Sequence, residues 1–250
     1  MTVRPGRPPA PFVKRNPQKN FFKKYLTFCA ARAIIITVIG GTKVNPKYRK
    51  EVNKNMEIFK NELELIKDEK LRAFTDFYLS NCVPNYFWEI GASASGKYHP
   101  PFSQGEGGLV RHTKAVVYFC DELMRMSQWA YMTDRRKDYA IMACILHDTV
   151  KYGFLDTVDK NEYRNHAKNA ASNIEAVWKD YFNTPAPYEL IQAVASHMGQ
   201  WSTERDDRPF TPVDRLVHLS DFVASRSFID IPCITKEYNE TMAKVKTDLP

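Results

Sequence analysis

The stretch Tyr139-Ala-Ile-Met-Ala-Cys-Ile-Leu-His147-Asp148-Thr-Val-Lys151-Tyr-Gly153 decides how the chain is read. Ile141, Cys144 and Ile145 recur at helical spacing, and the next position on that face is Asp148 instead of another apolar residue. A carboxylate that continues a buried stripe, with an imidazole beside it and Lys151 one turn on, is costly unless something such as a metal ion compensates it. Adjacent residues stand about 100° apart around a helix, but at a helix end His147 and Asp148 can both lean toward one ion. With six histidines in the chain, one His-Asp pair arises easily by chance. The rest of the sequence has to supply further ligands.

It offers four. Leu109 to Met124 is strongly helical, and His112 shares a face with Val116, Phe119 and Leu123, so it points inward. Glu162 to Trp178 reads as another helix with His166 at its first turn. Tyr188 to Ser196 has an inner face of Leu190, Ala193 and Val194 that leads to His197 before Gly199 ends it. Thr211-Pro212 opens a further helix, because Thr suits an N-cap and Pro the first turn. Its inner stripe of Val213, Leu216, Val217 and Ala224 is interrupted by Asp221. A lone inward histidine is more often a hydrogen-bonded core residue than a ligand, so the set carries more weight than any member.

In this order the set resembles the HD superfamily of metal-dependent phosphohydrolases. Gly107-Gly-Leu-Val-Arg-His112-Thr is similar to the family's first-histidine helix, Leu146-His-Asp-Thr-Val-Lys151 to its signature, and Val217-His-Leu-Ser-Asp221 to its final aspartate helix. His166 and Ser196-His197-Met-Gly199 resemble the two extra histidines of the binuclear branch, which includes HD-GYP phosphodiesterases and bacterial 3′-to-5′ exoribonucleases. The resemblance covers residues 95–228. It implies an all-α helical bundle and two divalent ions, Mn²⁺, Fe²⁺, Co²⁺, Mg²⁺ or Zn²⁺, since imidazole and carboxylate donors do not choose among these. His112, His147, Asp148 and Asp221 would hold one ion, and Asp148 would bridge to a second held by His166 and His197. Two ions about 3.5–4 Å apart would activate a water for attack on phosphorus, with Asp148 and Lys151 as the catalytic pair. Lys151 would stabilise developing charge or assist the leaving oxygen.

Further contacts are expected around this set. Residues 91–108 are the longest Gly/Ser/Pro-rich stretch of the body and read as a loop. Lys97, His99 and Arg111 lie in or beside it and are candidates for binding substrate phosphate, as is Arg226. His218, three residues before Asp221, is a candidate support for a ligand. The pattern also departs from its relatives. Residues 51–90 read as helices where the exoribonucleases carry an OB-type domain, and no Gly-Tyr-Pro string follows His197.

Composition bounds the remainder. The chain has 250 residues, 44% hydrophobic and 26% charged, enough for one substantial core. Its five cysteines are scattered without a Cys-x-x-Cys pair, which excludes a zinc knuckle and points to a reducing, cytoplasmic setting. The net charge of +7 hides an asymmetry: residues 1–50 carry twelve Lys/Arg and no acid, so they are +12 and residues 51–250 are −5. Residues 1–24 form a basic, Pro-rich arm expected to be disordered, able to neutralise nucleic-acid phosphates or merely to solubilise. Residues 25–50 are an apolar and basic connecting segment whose run at 33–40 is too short to span a bilayer. The HD domain with N-terminal scaffold helices is placed at 51–235 and a C-terminal tail at 236–250.

The expected function is metal-dependent hydrolysis of a phosphoester in a nucleotide or oligonucleotide. A 3′-to-5′ nuclease that holds its strand with the arm is the second reading. A non-catalytic nucleic-acid-binding or assembly protein with a structural metal site is the third.

Overall fold

The computed structural model describes residues 57–93, 99–202 and 208–247. The basic arm, the connecting segment with its apolar run, and Lys97 lie outside the described residues, and so do the expectations placed on them. Among the described residues there are eight α-helices and no strand: α1 Lys60–Glu64, α2 Glu69–Asn81, α3 Gly108–Met124, α4 Asp134–Leu146, α5 His166–Phe182, α6 Tyr188–Ala195, α7 Pro212–Ala224 and α8 Pro232–Thr247. Short 3₁₀ turns lie at Asn85–Trp88, Pro101–Ser103, Glu162–Asn165 and Gly199–Trp201. The protein is all-α, and no helix among the described residues is long and apolar enough to cross a membrane.

Helix α4 is the hub, packed against α2, α3, α6 and α7, while α3 also lies along α7 and α5 pairs with α6. The run Ala140-Ile-Met-Ala-Cys-Ile-Leu146 is no more than 1% exposed at any position. A helix surrounded on all sides needs apolar residues all round, which is why this run reads as continuous instead of striped. Each buried Ile or Leu there contributes about 1.5–3 kcal/mol.

Helix starts are set by local chemistry. The Asp68 side chain accepts from the backbone N–H groups of Lys70 and Leu71 and opens α2 as a helix separate from α1. At α7 the anticipated Thr211 cap is completed by Asp214, whose side chain accepts from the Thr211 N–H while the Thr211 hydroxyl accepts from Asp214. Asn183, with φ 53°, ends α5 five residues beyond Trp178, because Trp178 and Phe182 both pack on Phe74 of α2.

The C-terminal end differs from expectation. The segment from 236, read as a tail, continues α8 to Thr247, and Ile234 and Tyr238 are buried against the domain. Lys114 of α3 explains the anchorage. Its ammonium is buried and donates to Glu62 at 2.7 Å, to Glu237 of α8 at 2.8 Å and to the Ile58 carbonyl at 2.9 Å. One cation thus ties the first and last described helices to the helix that carries His112.

Candidate metal centre

Five elements converge on one point. His112 comes from α3, His147 caps the C-terminus of α4 with Asp148 in the turn after it, His166 starts α5, His197 follows α6, and Asp221 sits near the end of α7. His112 Nε2 lies 3.1 Å from Asp221 Oδ1, and His147 Nε2 lies 3.5 Å from Asp148 Oδ2 and 3.9 Å from Asp221 Oδ1. On the other side, His166 and His197 Nε2 lie 3.2 and 3.8 Å from Asp148 Oδ1 and 3.1 Å from each other. Asp148 therefore stands between two groups of histidines.

The ring orientations follow from the backbone. His147, His166 and His197 each donate an Nδ1–H to the carbonyl three residues earlier, of Cys144 at 2.8 Å, Tyr163 at 2.6 Å and Val194 at 2.8 Å. A carbonyl only accepts, so Nδ1 carries the proton and Nε2 faces the centre as the free ring nitrogen. Burial lowers the pKa of His197 to about 3, helped by His147 and His166, and burial also lowers that of His147. Burial opposes ionisation of Asp148, where the Lys151 ammonium counters it, and the pKa of both Asp148 and Asp221 lies below the ordinary carboxyl value. Unprotonated nitrogens beside ionised carboxylates are the state that metal binding requires.

A cation fits what is left over. His147 Nε2 and Asp148 Oδ1 are fully buried with no hydrogen-bond partner among the described residues, and each such atom costs about 1–3 kcal/mol if it stays unmet. Three overlapping groups could hold an ion: His112, His147 and Asp148; His147, His197 and Asp221; Asp148, His166 and His197.

Residues 109–225 match the family model described as HD domain. The chain carries an HD domain. It is similar to a dihydroneopterin 2′,3′-cyclic phosphate phosphodiesterase of Methanocaldococcus jannaschii, 27% identical over 171 residues that cover 65% of this chain and 66% of the relative. The chain thus spans just under two thirds of that relative's length. No solved structure matches.

The other expected residues take varied places around the HD domain's cluster. Lys151 is buried, its ammonium 2.5 Å from Asp148 Oδ2, so it is no surface lysine. His218 donates its Nδ1–H to the backbone carbonyl of His197 at 2.8 Å. Arg226 bonds the Phe222 carbonyl and the Ser225 hydroxyl, and its guanidinium carbon lies 4.3 Å from the Phe222 ring centre and 5.4 Å from that of Trp201. The Arg111 guanidinium donates to the carbonyls of Phe102, Glu106 and Gln104 and sits over the Tyr238 ring. These bonds engage one N–H on each of its three nitrogens and tie the residues from Phe102 to Glu106 to α3. His99 reaches the cluster from that loop, its ring edge-on to His112 with centroids 5.4 Å apart. Burial, then His112 and Lys151, lower the His99 pKa to about 3. All six histidines of the chain therefore lie in or against one site.

Two contributors carried no mark in the sequence. The Tyr86 hydroxyl donates to the Gly153 carbonyl at 2.6 Å and accepts from the Tyr152 N–H, which pins the turn after Asp148. Tyr163 stacks on His166 and lies 5.9 Å from the Lys151 ammonium. Nothing in their spacing separates them from ordinary core tyrosines.

Proposed function

We propose that the chain is a binuclear phosphohydrolase that cleaves a phosphoester of a nucleotide-like molecule by attack of a metal-activated water. The observation that carries this reading is the convergence of four imidazole nitrogens and two carboxylates on Asp148, with buried acceptor atoms that no hydrogen bond satisfies. His112, His147, Asp148 and Asp221 would hold one ion, and Asp148, His166 and His197 a second. Bound divalent ions supply Lewis acidity, lowering the pKa of a coordinated water and neutralising phosphoryl charge.

The chain's own groups do the rest. The Nδ1–H bonds hold three imidazoles at fixed angles, and His218 steadies the backbone at His197. Burial alone would lower the Lys151 pKa, but Asp148 and Tyr163 outweigh it and hold it above the ordinary lysine value. A lysine so reluctant to release its proton suits electrostatic stabilisation of phosphoryl oxygens better than proton transfer. Trp201, 47% exposed and stacked on Phe222 next to Asp221, offers a flat surface for a planar ring and supports a substrate that carries one.

The test is elemental analysis of the purified chain together with hydrolysis of bis(p-nitrophenyl) phosphate, p-nitrophenyl phosphate and a nucleoside 2′,3′-cyclic phosphate under added Mn²⁺. The cyclic diester is included because the similar archaeal protein is named for one. About two metals per chain and a diester rate, both lost in Asp148→Ala, would support the proposal. No bound metal and no rate above background would refute it.

A further inference from the structure

We infer that His99 is a substrate-contacting residue of this centre, its imidazole N–H donating to an oxygen of the phosphoester group, and that Arg111 and Tyr238 are the positioning residues that deliver it. The inference rests on the phosphoester reading above, but its test can fail separately.

His99 lies against His112, yet it belongs to none of the three groups of residues that could hold an ion. Its Nδ1 is buried and, among the described residues, has no hydrogen-bond partner. In His147, His166 and His197 the same atom is committed to a backbone carbonyl. His99 therefore has an unpartnered ring nitrogen, as His112 does, but unlike His112 it belongs to no group that could hold an ion.

Residues 99–107, which carry it, are tied down. Arg111 collects the carbonyls of Phe102, Gln104 and Glu106, and the Gln104 side-chain amide donates to the His99 carbonyl at 3.3 Å. Behind Arg111 stands the Tyr238 ring of α8, 4.9 Å from the guanidinium carbon. The Tyr238 hydroxyl fills the space beside Gly107, where a Cβ would come within 2.0 Å of it, and Gly107 itself has φ 67°. The Ala92 N–H donates to the Ser103 carbonyl and the Gly107 N–H to that of Glu89, closing the loop on the start of α3. A histidine with only structural work would not need this much holding at the mouth of a metal site. One that must meet a phosphoryl oxygen at hydrogen-bond distance would.

The experiment uses the full chain loaded with Mn²⁺ and the variants His99→Ala, His99→Gln, Tyr238→Ala and the double variant His99→Ala/Tyr238→Ala. Metal content, inorganic phosphate affinity by calorimetry and bis(p-nitrophenyl) phosphate turnover are measured for each. The expected result is an unchanged metal content in His99→Ala, with phosphate affinity weakened about tenfold and turnover about ten- to a hundredfold. His99→Gln, which keeps an N–H donor, recovers part of both. Tyr238→Ala loses less than His99→Ala, and the double variant is no worse than His99→Ala, since both act through one contact. Loss of metal in His99→Ala would make it a ligand and overturn the inference. So would wild-type affinity and rate in that variant, additive losses in the double, or a wild-type chain that binds no phosphate. If the wild type binds metal and phosphate but hydrolyses nothing, the hydrolase reading fails, and phosphate affinity alone then decides for or against His99.

Discussion

At the scale of single residues, Lys151 and Gly199 carry the sharpest predictions. Lys151 is held by Asp148 and kept protonated by it, so the proposed reaction draws on its charge and not on its proton. Lys151→Gln keeps a hydrogen-bond donor but removes that charge, and turnover is expected to fall on the order of a hundredfold with metal content unchanged. A rate within twofold of wild type would refute the electrostatic role. Gly199 has φ 56°, and a Cβ there would meet the His218 ring at 2.1 Å. Gly199→Ala must therefore push His218 off the His197 carbonyl, and weakened Mn²⁺ binding is expected in a titration. The outer partner of a metal-binding histidine is typically worth about ten- to a hundredfold in affinity. An unaltered titration would show that His218 does not support His197.

At the scale of elements, helix starts matter more than helix interiors. Asp68 accepts from two backbone amides at the head of α2, and these bonds, beside Arg135, lower its pKa. A lowered carboxyl pKa means stability that is present above the unfolded value and lost as pH falls through the folded one. Asp68→Ala is expected to cost about 1 kcal/mol near pH 7, and its deficit against wild type should narrow as the pH falls below about 4. Chemical denaturation at the two pH values checks this, and a deficit that is the same at both would contradict it. The cap also explains why α2 begins where it does, since Asp68 belongs to the start of a helix and not to its interior.

At the scale of the whole molecule, Lys114 joins parts that are far apart in sequence. It pairs with Glu62 near the start of the described chain and Glu237 near its end. Burial raises the Glu62 pKa, and the ammonium only partly offsets it. Lys114→Met would leave the two carboxylates without their cation, and a loss of about 3–5 kcal/mol is expected. A group whose folded pKa is raised stabilises at low pH and loses that contribution as pH rises through the folded value. The deficit should therefore be smaller at pH 5 than at pH 8, as read from urea midpoints. An equal deficit would mean that packing, and not the paired charges, ties α8 to the domain.

The sequence by itself determined the helical class, the likeness to HD domains and the six positions that converge. These depend on local periodicity and residue chemistry: an apolar stripe broken by Asp148 or Asp221 is visible in a single helix. The Thr211-Pro212 start of α7 was legible for the same reason. What only the tertiary structure decided are contacts between segments that no local pattern records. Arg111 looked like a phosphate ligand because it neighbours His112, but three loop carbonyls engage its nitrogens. The segment after 235 reads as a tail in the sequence, yet Glu237 pairs with Lys114 and Tyr238 packs behind Arg111. The Nδ1 bonds that aim the histidines go to backbone carbonyls, which every residue possesses, so no side-chain identity could announce them.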